Sequence, residues 1–130
     1  MPKEVIRTGE NWEGKMSFSQ GIKHGSLVFV SGQGALDTDG NVVGKGDIKA
    51  QTRQALNNMA KVLKNAGASL NDVVKVTAFI TNRSPGMIQG YDAVFGEFFP
   101  TDCPASTLVE IKSLVLRDMM VEIEAIAVIG

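Results

Sequence analysis

Apolar and polar positions alternate along this chain with two periods, one of two residues and one of 3.6, and the switches between them predict its elements. Ser26-Leu27-Val28-Phe29-Val30 is short, β-branched and aromatic, follows the turn-like Lys23-His24-Gly25, and leads into Ser31-Gly32-Gln33-Gly34. It predicts a strand. Asp37-Thr38-Asp39-Gly40-Asn41 has the Asp and Gly chemistry of a chain reversal. From Asp47 the period changes: Ile48, Ala55, Leu56, Met59, Val62, Leu63 and Ala66 form one stripe, with Lys49, Arg53, Asn57, Lys61 and Lys64 off it. That is an amphipathic helix, with Asp47 placed to cap its start and Gly67 to end it.

Val73-Val74-Lys75-Val76-Thr77-Ala78-Phe79-Ile80 returns to the strand period, with Val74, Val76, Ala78 and Ile80 on one side. Ser84-Pro85 then opens a second helical pattern, Ile88, Tyr91, Phe95 and Phe98, which ends before Pro100. Two further strands are expected, one with Thr107, Val109 and Ile111 opposing Ser106, Leu108 and Glu110, the other with Val121, Ile123, Ala125, Ala127 and Ile129 opposing Met120, Glu122, Glu124 and Ile126. The order strand, strand, helix, strand, helix, strand, strand implies an α+β fold, a mixed sheet with both helices on one face. Lys75, Glu110, Glu122 and Glu124 are then expected on the other face, among Phe79, Leu108, Met120 and Ile126. Such a face is either a half-solvated sheet or a protein–protein interface.

Composition narrows the function classes. The 130 residues are 44% hydrophobic and 21% charged without a low-complexity tract, which fits one globular domain spanning 1–130 and excludes a disordered chain. Lys plus Arg total 13 against 14 Asp plus Glu, with no basic run, so nucleic-acid binding is disfavoured. A single cysteine, Cys103, forbids an intrachain disulfide and zinc-finger sites, and a single histidine, His24, forbids a His-rich site. Neither an apolar leader nor a run of roughly 18 apolar residues is visible, so a cytoplasmic protein with no membrane partner is expected.

Few motifs carry chemistry by themselves. Ser31-Gly32-Gln33-Gly34 has neither the GxGxxG nor the Walker pattern, and no helix follows it directly. Glu122 and Glu124 share one strand face, which either pairs carboxylates for acid/base work or merely solvates a sheet; spacing alone favours the second. His24 reads as a turn residue on the surface. Cys103, between Asp102 and Pro104, has no neighbouring group to lower its pKa and reads as a structural thiol.

A set of ordered segments adds a family likeness. Phe18-Ser19-Gln20-Gly21, Val30-Ser31-Gly32-Gln33, Gln51-Thr52-Arg53-Gln54-Ala55-Leu56-Asn57-Asn58, the run from Ala66 to Lys75, Phe98-Phe99-Pro100, Pro104-Ala105 and Glu122-Ile123-Glu124-Ala125-Ile126-Ala127 together resemble the Rid (YjgF) family, also called RidA-like or L-PSP endoribonucleases. The resemblance spans the chain from about Phe18 onward. It implies a chorismate-mutase-like fold, and a homotrimer whose sheets form a central barrel with clefts between subunits. It also implies, for the members that are enzymes, hydrolysis of enamines and imines to 2-keto acids and ammonia without a metal or cofactor. Other members have been described as ribonucleases or chaperone-like proteins.

The resemblance also carries residues. Glu122 matches the family's acid/base glutamate, and Phe18, Ser31, Gly32, Asp92, Ser106, Thr107 and Leu108 match cleft positions for substrate. Imine deaminases read Pro-Ala-Arg-Ser where this chain reads Pro104-Ala105-Ser106-Thr107, so Ser106 stands in place of the arginine that grips a substrate carboxylate. Phe18 likewise stands for a tyrosine, Asp92 for an asparagine, and Leu108 for a small residue. The expected function is therefore hydrolysis or deamination of a small imine or enamine other than the standard 2-imino acids. The alternative is a non-catalytic metabolite-binding or chaperone-like protein using the same cleft.

Overall fold

In the computed structural model, which describes residues 2–130, the helical stripe from Asp47 becomes α1 (Ile48–Asn65). The Asp47 carboxylate accepts the Ala50 N–H at 3.0 Å, satisfying a first-turn donor. At the other end Ala68 N–H donates to Leu63 O and Gly67 N–H to Lys64 O, with Gly67 at φ +80°. This crossed pair closes the helix and requires the left-handed residue that glycine adopts at least cost. The second helix, α2 (Pro85–Phe98), starts on Ser84, whose hydroxyl accepts the Met87 N–H.

The strands are β1 (Glu4–Ile6), β2 (Gly21–His24), β3 (Leu27–Gln33), β4 (Val73–Ile80), β5 (Ala105–Glu110) and β6 (Val121–Val128). They form one mixed sheet in the order β1-β2-β3-β6-β4-β5, with β4 and β5 parallel and the other pairs antiparallel. Both helices pack on one face. Leu56, Met59, Val62 and Leu63 of α1 and Val94 and Phe95 of α2 join Val28, Val76, Ile80, Val121 and Ile123 of the sheet in one core. The Asp37–Asn41 reversal is also present, Asp37 Oδ1 accepting the N–H groups of Asp39 and Asn41 at 2.9 Å.

Two expectations need correction. Lys23 and His24 lie in β2 rather than in a turn, and the reversal is made by Gly25 and Ser26 alone; three strands precede α1 where the expected order has two, because strands as short as β1 and β2 cannot display an alternation. The second concerns Glu110 and Leu108. The β4–β5 ladder pairs Thr77 with Thr107 and Ala78 with Leu108. Ser106, Leu108 and Glu110 therefore share the face of Val76, Ala78 and Ile80, whereas Lys75, Phe79, Glu122, Glu124 and Ile126 share the opposite one. With a period of two, register decides the face of every side chain in the strand. All six residues of β5 are exposed. Among the described residues no helix is long and apolar enough to cross a membrane.

Candidate functional site

The irregularity in β3 creates the site. The β3–β6 pairing shifts register between Val30 and Gln33, so Ser31 and Gly32 form a bulge opposite the start of β6. Glu122 projects from β6 against it, close enough that a Cβ on Gly32 would stand 2.6 Å from the Glu122 Cδ and 2.8 Å from its Cγ. Only glycine leaves that space. Burial, and secondarily the charge of Glu124, pushes the Glu122 carboxyl above the ordinary carboxylate range. The pairing of the two glutamates thus becomes asymmetric: Glu122 is half-buried and Glu124 is exposed.

Beside Glu122 lies a chamber of about 350 Å³. Its floor is Gly32, Gln33, Gly34 and Met119, and its walls are Trp12, Met16, Phe18, Leu36, Val115 and Leu116, with Asn58, Lys15, Asp39 and Gly40 completing the lining. The Trp12 and Phe18 rings stack at 6.4 Å with 26° between planes. Three polar arrangements hold these loops in place. Glu13 Oε1 accepts from Thr8 N–H, Thr8 Oγ1 and Glu10 N–H at 2.7–2.9 Å, fixing the segment that carries Trp12; burial raises that carboxyl's pKa, but these bonds outweigh it and leave it lowered. Asn58 of α1 donates from Nδ2 to Gly34 O and Leu36 O at 3.0 Å. Gln51, fully buried, donates to Asp118 O at 2.8 Å and Gly44 O at 3.2 Å and accepts from Met120 N–H at 2.8 Å. It thereby anchors the end of the β5–β6 connection next to Met119.

Of the candidate residues read from the sequence, Phe18, Gly32 and Glu122 meet in this chamber. Ser31 does not: it lines an adjoining hollow on the open sheet face with Phe29, Lys75, Thr77 and Glu124, and its hydroxyl donates to Ser19 O. Thr107 lies on the same face, accepting from Lys75 Nζ at 2.7 Å. Ser106, Leu108 and Asp92 stand apart from the chamber. Asp92 is exposed on α2, and Asp92 and Ser106 both act on Tyr91. Burial and the Asp92 charge raise the Tyr91 phenol, and the nearby Ser106 hydroxyl partly offsets them. That buried hydroxyl makes no well-formed hydrogen bond.

The chamber walls from Trp12, Met16, Leu36, Val115, Leu116 and Met119 were missed in the sequence because they sit in loops, where no periodicity marks them. The lone tryptophan between Gly9 and Gly14 was the available signal. Cys103 is exposed, its thiol directed to Phe99 O at 3.3 Å, and is remote from the chamber lining. Among the described residues, no three His, Cys, Asp or Glu side chains gather in a way that could hold a metal.

Comparison with known proteins gives a consistent answer. The family model described as endoribonuclease L-PSP matches residues 9–129. A RutC family protein of Pyrococcus abyssi is 40% identical over 127 residues, covering 98% of each chain. Among solved structures, RidA from an Antarctic Psychrobacter superposes with a TM-score of 0.86 at 30% identity, covering 97% of this chain and 99% of that one. Escherichia coli TdcF, solved with bound serine, superposes with a TM-score of 0.87 at 30% identity over 98% and 99% of the two chains.

Proposed function

The chain belongs to the endoribonuclease L-PSP (Rid/YjgF) family, and from that premise we propose that it hydrolyses a small imine or enamine-type metabolite other than the standard 2-imino acids. The observation that carries this reading is the Glu122 carboxyl, raised in pKa and seated on Gly32 beside an open chamber. A carboxylate of raised pKa holds a proton more readily than an ordinary one, which suits it to taking and returning a proton. In the proposed reaction Glu122 accepts a proton from water as its oxygen bonds to the C=N carbon. The proton passes to nitrogen, giving the carbinolamine; its C–N bond then breaks as nitrogen takes a second proton through Glu122 and the hydroxyl gives one up, so that carbonyl product and ammonia leave. Atoms balance with water as the only co-reactant, so no metal or cofactor enters the scheme. The test is carbonyl and ammonia formation from imines generated in situ, corrected for spontaneous hydrolysis. A rate equal to the uncatalysed one across aryl, alkyl and carboxylated imines would leave metabolite binding as the better reading.

The chamber bears on that alternative. A cleft plugged by Phe18 and Leu108 would favour a non-catalytic role; within one chain Leu108 lies apart from the chamber and the space next to Glu122 is open. A ribonuclease reading has less support, since Lys15 is the only cationic side chain in the lining, leaving a phosphate backbone little to hold.

The proposed assembly is a homotrimer. Leu27, Phe29, Val109 and Val128 are exposed on the open sheet face, and β5 is uncovered at its edge, an apolar area that a lone chain would leave wet. In it, Ser106, Thr107 and Leu108 of one subunit would complete the chamber of the next. Light scattering in dilute neutral buffer is expected to report a mass near three chains; a monomer over a wide concentration range would refute the assembly. The Ser106→Arg variant, with Phe18→Tyr added, is expected to gain hydrolysis of 2-iminopropionate that the unmodified chain lacks. An arginine paired with a desolvated carboxylate contributes about 2–5 kcal/mol. Rapid turnover of that substrate by the unmodified chain would show that another group binds the carboxylate.

A further inference from the structure

We propose that the chamber selects a flat, apolar imine that carries no carboxylate, its ring or branched chain against Trp12 and Phe18 and its nitrogen at Glu122. This deepens the hydrolase reading by naming the substrate class, and the binding test below does not depend on turnover.

Three features of the chamber converge on that class. Its walls are aromatic and aliphatic, with Trp12, Met16, Phe18, Leu36, Val115 and Leu116 around about 350 Å³, the low end of ligand cavities and suited to a single ring. Its charge has the wrong sign for an acid. Glu122 is the half-buried anion of its lining, while Asp39 and the single cation, Lys15, are both exposed and water-screened. Elsewhere Arg53 is engaged by Glu97 at 2.9 Å and Arg83 by Glu110 at 3.6 Å; Arg7 lines a separate, smaller hollow that shares Trp12 and Phe18, and no arginine of this chain lines the chamber itself. A substrate carboxylate would thus lose its water against Phe18 and Trp12 and meet a like charge.

A protonated imine gains instead. Its delocalised cation is attracted by the carboxylate of Glu122 and by the faces of the two stacked rings. Gly40, at φ +84°, extends the same surface: a Cβ there would stand 3.2 Å from Trp12 Cδ1, so its absence lets the indole lie flat on the loop.

The protein carries its own reporter, since its one tryptophan lines the cavity. Benzamidine is a stable, planar stand-in for a protonated aryl imine; benzoate has the same shape with a carboxylate, and 2-oxobutyrate represents the small keto-acid products. Titrated against the full chain, benzamidine is expected to change tryptophan emission saturably and to bind about tenfold more tightly than benzoate. Calorimetric titration serves as a second readout that an optically silent complex cannot evade. Glu122→Gln should weaken benzamidine and leave the weak benzoate binding unchanged or improved, whereas Phe18→Ala should weaken benzamidine by removing one of its two ring contacts.

Benzoate or 2-oxobutyrate binding as tightly as benzamidine overturns the proposal, as does the absence of saturable benzamidine binding by both readouts. If the keto acid wins and Lys15→Met abolishes it, the lysine has replaced the family arginine. Preferred benzamidine binding without hydrolysis of any aryl imine would sustain the ligand class and defeat the hydrolase reading. Turnover of small 2-imino acids with tight 2-oxobutyrate binding would do the reverse.

Discussion

Replacing Glu122 by glutamine is expected to lower imine hydrolysis by about 10²–10⁴-fold, the usual contribution of a positioned general acid/base, while the chain keeps its fold. Glutamine has the same shape and fits the same space over Gly32, but it cannot take the proton from water. The pH profile supplies an independent readout. Burial raises the Glu122 pKa, so the rate of the unmodified protein should fall as pH drops through a value above the ordinary carboxylate range, and this limb should vanish in the variant.

Stability should move the other way. A carboxyl with a raised folded-state pKa binds its proton more tightly in the native than in the unfolded chain. Its contribution is therefore most favourable below the unfolded pKa, declines as pH rises through the interval between the two values, and levels off above the folded one. At neutral pH the glutamine variant, free of that penalty, should melt no lower than the parent. An unaltered rate, or a variant that unfolds at neutral pH, would remove Glu122 from the proposed role.

Gly32→Ala is the second large effect expected, about 10²-fold in rate from misplacing the same carboxylate. A methyl at this position overlaps the Glu122 carboxylate and its Cγ. The glutamate is a flexible side chain and can swing away, so the fold survives, but its proton-accepting oxygens leave the chamber floor. Circular dichroism and thermal melting separate this from disruption of the β3 bulge. The double variant Gly32→Ala with Glu122→Asp, shorter by one methylene, should recover part of the lost rate. Full activity in Gly32→Ala alone would mean that the carboxylate acts from another position.

Which parts of this protein its sequence discloses follows from where order is periodic. The α1 stripe from Ile48, its Asp47 cap and its Gly67 stop agree with the observed helix to within a residue or two, and β4 runs from Val73 to Ile80 as its β-branched run indicates. Long elements sum many weak preferences. The strands β1 and β2 had too few residues for that. Side-chain facing in β5 failed for a different reason: alternation shows which residues oppose one another within a strand, but the parallel register with β4 that sets the face is a tertiary fact.

The site divides similarly. Glu122, Gly32 and Phe18 were found through resemblance, yet the reason Gly32 must be glycine is a contact made across a bulge that no local pattern displays. Trp12, Leu116 and Met119 come from loops far apart in sequence, brought together by Glu13, Asn58 and Gln51. The part those polar residues play shows only in their hydrogen-bond partners.

The open edge formed by β5 has a consequence during biosynthesis, before any ligand is met. Its Ala-Ser-Thr-Leu-Val-Glu run contains no proline or lysine, the residues that commonly keep an edge strand from recruiting another. Pro104 guards only its entrance and Glu110 its exit. A newly released chain therefore offers a bare row of N–H and C=O groups to any extended segment nearby, and productive docking has to outpace misdirected strand addition. Crowded overexpression of slowly maturing chains raises the concentration of such edges together, so inclusion-body formation in this protein would be nucleated at β5 rather than at its helices.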